Sequence, residues 1–153
     1  MLNEKQMEVL RQLSFQLERE KINWLCIGGL AAIAWGAKRP LADIDIQVSR
    51  DDIEKVSLLF QQNVATPLRH YVTNNWDIRQ MIIRINDVGV DICQAEEFYI
   101  INQGEKYLLP NYIGEHSARK IRRLTIPVLP KSELIKYKEF ISRPVDYEDL
   151  KFL

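Results

Sequence analysis

Residues 42–48, Ala-Asp-Ile-Asp-Ile-Gln-Val, alternate strictly between polar side chains at 43, 45 and 47 and apolar ones at 44, 46 and 48. Successive side chains of an extended chain point to opposite faces, so this pattern predicts a strand with one buried face. The apolar face requires a sheet with a core behind it. The polar face carries Asp43 and Asp45 side by side. Two like charges at that spacing repel, and each pKa rises unless something neutralises them. Either the pair lies on a solvated face, where water and salt screen the repulsion, or it shares a divalent cation such as Mg²⁺, which favours hard oxygen ligands.

Around this strand the pattern alternates between helix and strand. Residues 3–20 place Met7, Leu10, Leu13 and Leu17 three and four apart, an amphipathic helix. The apolar run Ile22–Ile27 ends at Gly28-Gly29 and reads as a buried strand; Leu30–Ala37 is Ala-rich and favours helix. Ser49 and the acids after it open a helix to about Gln61. Residues 63–77 read as loop. Residues 80–85 and 88–93 flank Asn86-Asp87 as a hairpin, and 124–128 form a further strand. Lys131 opens a helix to Ile141; Pro144 breaks it, and Asp146 caps a last short helix. The expected class is α+β (α/β-like), a mixed sheet flanked by helices.

Length and charge exclude several classes. At 153 residues the chain matches one domain, 1–153, with the helices of 131–153 packed on it. Lys plus Arg (21) equals Asp plus Glu (21), so no global attraction to nucleic acid or anionic membrane is expected. The longest apolar run, Leu30–Trp35, is far below the roughly 20 residues of a membrane span. No basic segment followed by an apolar core opens the sequence, so no secretory signal is expected. Cys26 and Cys93 lack zinc-site spacing and read as two reduced thiols of a cytoplasmic protein.

Three features carry chemistry. Gly28-Gly29, between a strand and a helix, is either a tight turn or a place where backbone N–H groups approach an anion at a helix N-terminus. Asp43 and Asp45 have the two readings given above. Asp91, in Val90-Asp91-Ile92, is either an exposed strand-end acid or a neighbour of that pair; buried without a partner it would be costly. In combination they suit a nucleoside triphosphate with metal. The glycine turn holds phosphates and two acids clamp Mg²⁺. The third acid binds a second ion and accepts the proton of an attacking hydroxyl.

These residues resemble the DNA polymerase beta-type nucleotidyltransferase superfamily, whose signature runs from an apolar residue and Gly-Gly or Gly-Ser to Asp-apolar-Asp/Glu-apolar. Here that is Ile27-Gly28-Gly29, then 13 residues, then Asp43-Ile44-Asp45-Ile46, with Asp91 similar to the third carboxylate. The stretch from Trp24 to Val48 is most similar to the small aminoglycoside 2''- and lincosamide-type enzymes, and also to nucleotidyltransferases of abortive-infection and toxin–antitoxin systems. Residues 134–150 resemble the family's Arg-Pro-x-Asp-x-x-Asp-Leu ending.

The resemblance implies the nucleotidyltransferase fold. It implies catalytic and metal-binding roles for Asp43, Asp45 and Asp91, and nucleotide contacts from Gly28, Gly29, Arg39 and Lys138. It further implies two Mg²⁺ ions and a nucleoside triphosphate co-substrate, ATP first. The implied reaction transfers a nucleoside monophosphate to a hydroxyl of a small molecule. Two alternatives stand beside it: a toxin–antitoxin or abortive-infection component acting on tRNA or a partner protein, and a non-catalytic nucleotide-binding domain. A chain this short leaves little room for an acceptor domain, so a homodimer is a further expectation.

The rest of the chain carries weaker signals. Tyr107, Tyr112, His116, Arg119, Lys120, Arg122 and Arg123 read as a solvated loop or as a local RNA surface. Asp146 and Asp149 read as cap and fold-stabilising acids, with Arg143 pairing one of them. Trp76 reads as a cleft wall. Glu96, Glu97 and Glu105 could supply an acidic cleft for a polycationic acceptor.

Overall fold

The computed structural model describes residues 1–153. Helix α1 (Glu4–Arg19) is fixed at its start by reciprocal bonds: the Gln6 N–H donates to Asn3 and the Asn3 N–H to the Gln6 side chain. That satisfies two of the N–H groups a helix start leaves open. The Gln6 amide also donates to the Leu41 carbonyl at 2.8 Å, tying α1 to the segment just before the acids. There follow β1 (Trp24–Cys26), α2 (Gly28–Trp35), β2 (Ile44–Val48) and α3 (Arg50–Leu59). Next come β3 (Val64–Val72), β4 (Trp76–Ile85), β5 (Val88–Gln94), β6 (Tyr99–Asn102), β7 (Glu105–Leu108), β8 (Ser117–Ile121) and β9 (Leu124–Val128). Helices α4 (Lys131–Ile141) and α5 (Pro144–Leu150) close the chain.

All nine strands belong to one sheet, in the order β7-β6-β4-β5-β2-β1-β9-β8, with β3 on the free side of β4. The sheet is mixed: β2 runs parallel to β5 and antiparallel to β1. One face packs on the apolar stripe of α1, where Met7, Leu10, Leu13 and Leu17 are all fully buried. Leu134, Tyr137 and Ile141 of α4 join the same core. The hairpin is as expected, and both turn residues, Asn86 and Asp87, have positive φ (50° and 65°). Such a type I′ turn matches the twist of its strands.

Several expectations need correction. Residues 63–77 are mostly strand, not loop. The signal was hidden because β3 is irregular: its register on β4 shifts twice between Val64 and Arg69, around Pro67. Bulges and proline are tolerated there because β3 is an edge strand. Residues 94–120, which carried no motif, form β6, β7 and most of β8. The β6–β7 turn is at Gln103-Gly104, both with positive φ. Strand β2 does not have one solvated face, since Gln47 is fully buried. Helix α2 begins at Gly28, not Leu30. At α5 the cap residue is Arg143, and Asp146 accepts its N–H at 3.0 Å from inside the first turn. The Ser49 hydroxyl bonds to the Asp52 carboxylate and not to the backbone of α3.

Candidate active site

The three acids come together through strand order. Strands β2 and β5 are neighbours, and their register sets Asp45 opposite Asp91. Their carboxyl groups lie within hydrogen-bond reach of each other, and Asp43 precedes β2 at the same end. All three line one cleft of about 280 Å³ with Gly28 and Gly29. Burial pushes the Asp45 carboxyl well above its usual range, and the charges of Asp91 and Asp43 push it further; Arg143 opposes them. Burial raises Asp91 too and the charge of Asp43 adds to it, against the hydrogen bond with Asp45 and the charge of Arg69. Asp43 itself is solvent-exposed at the mouth.

Three glycines let these groups pack closely. A Cβ on Gly28 would lie 2.7 Å from Asp45 Oδ2, and Gly28 has φ +58°, a left-handed conformation that other residues avoid. A Cβ on Gly29 would lie 2.7 Å from Arg39 Nη2. A Cβ on Gly89 would lie 2.5 Å from Asp43 Oδ1. Gly89 carried no signal in the sequence, because its need for space comes from a strand it meets only in the sheet. The Ile27 N–H donates to the Asp45 carbonyl at 3.1 Å, which fixes the start of α2 against β2. The first-turn N–H groups of α2 have no acceptor within the helix and open beside the acids.

The carboxylates do not form a closed cage: no group of three or more His, Cys, Asp or Glu side chains stands ready to hold an ion. The donor set nevertheless suits a hard cation, being all oxygen, mutually repelling and partly desolvated. Mg²⁺ in particular is held by one or two carboxylates together with substrate phosphates, not by a cage of protein ligands.

A second charged group backs the cleft. Arg39 grips Asp149 with two bonds, Nε–Oδ1 at 2.5 Å and Nη2–Oδ2 at 2.8 Å. Lys138 Nζ lies 2.9 Å from Asp149 and 3.0 Å from Asp146. Arg143 bonds Asp146 through Nε at 2.8 Å and Nη2 at 3.1 Å, and its guanidinium lies over the Trp76 ring at 5.2 Å. Burial would raise Asp146 and Asp149, but bonds from the arginines and Lys138 outweigh it and hold both below the usual carboxylate range. The expected pairing of Arg143 is therefore with Asp146.

Lys138 is a correction. It is 1% exposed and does not line the cleft, because two buried carboxylates hold its ammonium. Arg39 and Arg143 do line the cleft. Arg143 was seen in the sequence only as a pairing residue. Its place in the cleft depends on α5 folding back over Trp76.

The remaining expectations resolve as follows. Trp76 is a cleft wall, with Phe98 and Tyr137. Cys93 also lines the cleft, but burial pushes its thiol well up, so it is a protonated thiol and not a nucleophile. Both cysteines are free. Glu96, Glu97 and Glu105 lie outside the cleft, and Glu96 accepts the Arg50 N–H at 3.0 Å. The aromatic and basic stretch is dispersed: Tyr107 and Tyr112 bond Glu133, Arg119 stacks on Trp35, and Arg122 pairs with Glu4. No helix is long and apolar enough to cross a membrane.

No family model and no curated protein matches the chain. Solved structures do match. A presumed nucleotidyltransferase from Thermotoga maritima superposes with a TM-score of 0.77 at 22% identity, over 99% of this chain and 93% of that one. The chain has the nucleotidyltransferase fold. The lincosamide antibiotic adenylyltransferase LnuA, with lincomycin bound, gives 0.66 at 17% identity, over 99% and 96%. The antibiotic-resistance factor ANT(2'')-Ia, in complex with adenylyl-2''-tobramycin, gives 0.63 at 11% identity, over 97% and 87%.

Proposed function

We propose that this protein is a nucleotidyltransferase that moves a nucleoside monophosphate, from ATP in the first instance, to a hydroxyl of a small molecule. The observation that carries the reading is the meeting of Asp43, Asp45 and Asp91 with the glycine start of α2 in one cleft. The fold, shared with adenylyltransferases of antibiotics, supports it.

Each residue has a part. The N–H groups at Gly28 and Gly29 receive phosphate oxygens, and Arg39, pinned across Gly29 by Asp149, sets positive charge beside them. Asp43, Asp45 and Asp91 would hold Mg²⁺, which when bound offsets their mutual repulsion and the charge of the triphosphate. Asp91 takes the proton from the acceptor hydroxyl. The acceptor oxygen then bonds to the α-phosphorus. The bond from that phosphorus to the bridging oxygen breaks, and pyrophosphate leaves carrying the electron pair.

Calorimetric titration with ATP in Mg²⁺ tests the reading. Wild-type protein should bind, and Asp45→Asn should lose at least tenfold in affinity. Absence of binding by any nucleoside triphosphate, or equal binding by Asp45→Asn, would reject it.

A further inference from the structure

The charges of the chain balance overall but are not spread evenly. Residues 116–132 hold five Lys and Arg and no Asp or Glu. Four of the five, Arg119, Lys120, Arg122 and Arg123, stand on the β8–β9 hairpin. The tyrosines of that stretch turn away to Glu133, whereas these four cations stay together and are all exposed. Only Arg122 meets a carboxylate, that of Glu4, which is itself 85% exposed. Arg119 bonds the Ala34 carbonyl at 3.2 Å and lies over the Trp35 ring at 4.5 Å, which holds its guanidinium in place without neutralising it.

Cations on an edge strand discourage pairing with another sheet, and that alone accounts for Arg119 and Lys120 on β8. It does not account for the turn. Ile121 opposes Leu124, so the loop is two residues long, Arg122 and Arg123. Loops of this length favour Asn and Gly, because they require positive φ. Here Arg122 takes φ +54°, a left-handed conformation that costs a side-chain-bearing residue. Its guanidinium reaches Glu4 and the Leu2 carbonyl, which ties the turn to the start of α1. Arg123 has no such contact. Backbone strain and gathered like charge at one exposed tip point to a partner of opposite charge.

The surroundings decide the kind of anion. A protein partner needs an apolar centre to its interface, and a membrane needs apolar side chains that enter it. None of the large apolar side chains exposed on this chain belongs to the hairpin. A sugar–phosphate backbone needs neither, because cations on phosphates supply affinity by releasing counterions. Three of the four cations are arginines, whose planar fork bonds phosphate oxygens in pairs and whose face stacks on bases. The hairpin lies at the β8 edge, three strands along from β2 and its acids, and outside the cleft. We propose that the β8–β9 hairpin is a nucleic-acid contact, binding the phosphate backbone of a single strand through Arg119, Lys120, Arg122 and Arg123. The contact is weak and independent of sequence, leaves the cleft free, and does not depend on the nucleotidyltransferase reading.

The test is fluorescence anisotropy on the whole chain, with labelled single-stranded RNA and DNA of one mixed sequence, over a series of salt concentrations. With three to four phosphates contacted, log K should fall with log salt at a slope of about −2 to −3. The double variant Lys120→Gln, Arg123→Gln changes two exposed side chains without partners, so its melting temperature should match wild type. It should lose at least tenfold in affinity, and its slope should flatten by about 1. Lys55→Gln with Lys106→Gln removes the same charge from α3 and from β7 at the far edge of the sheet, and should bind as wild type does. Binding of RNA above DNA names RNA as the partner, and equal binding names the shared backbone; both support the proposal. Failure of both strands to bind overturns it. So does equal affinity and slope in the hairpin variant, or tighter binding to poly-glutamate or phosphatidylserine vesicles than to either strand.

Discussion

Replacing Lys138 with Met keeps the length of the side chain and deletes its charge. In the wild type the ammonium sits 2.9 Å from Asp149 and 3.0 Å from Asp146, and all three side chains are at most 1% exposed. At an effective dielectric of about 20, each such pair gains roughly 5 kcal/mol of attraction before desolvation is counted. Removing one partner of a buried pair typically costs about 3–5 kcal/mol. Here each carboxylate keeps an arginine, so the lower end, about 3 kcal/mol, is expected. That is a large share of the roughly 5–15 kcal/mol that holds a domain folded. Urea unfolding followed by circular dichroism reads it directly. With a slope of about 2 kcal/mol/M, the midpoint should fall by about 1.5 M. A loss below about 1 kcal/mol for Lys138→Met refutes the assignment of this lysine to the fold and returns it to consideration as a ligand-binding group.

Three further outcomes follow from the same geometry. Asp146 and Asp149 are held below the usual carboxylate range, so their contribution to stability is complete above about pH 4, the unfolded value, and is lost as pH falls through the folded values. Urea midpoints measured across that range should drop steeply in wild type and less steeply in Asp149→Asn. Gly89→Ala places a methyl 2.5 Å from Asp43 Oδ1. The carboxylate should swing away with little change in melting temperature, while Mg²⁺-dependent ATP affinity falls about tenfold by calorimetry. Finally, Mg²⁺ with ATP should raise the melting temperature of the wild type by binding only the folded state. Asp43→Asn should abolish that shift, and an equal shift in the variant counts against the metal assignment.

How much of this could be read from the sequence depended on distance along the chain. Asp43 and Asp45 were legible because a strand repeats every two residues, and Gly28-Gly29 because a glycine pair between a strand and a helix is a local signal. Their meeting with Asp91 was legible only as an expectation, since it requires β2 and β5 to be neighbours in a set register. Gly89 carried no signal, because its role is defined by an opposing strand. Lys138 misled in the opposite way. The family resemblance implied a nucleotide contact from it, but the sequence does not show two carboxylates folding back from α5 to bury it. β3 was missed because bulges and Pro67 spoil the alternation that identifies a strand.

The account stands on three carboxylates gathering at the start of α2 to take a nucleotide with its metal. Anomalous diffraction from crystals grown with Mn²⁺ and a non-hydrolysable ATP analogue addresses that most directly. An anomalous peak bounded by Asp43, Asp45 and Asp91, with the triphosphate against Gly28 and Gly29, is the predicted result. Nucleotide seated elsewhere on the protein, or manganese bound away from these acids, would contradict it.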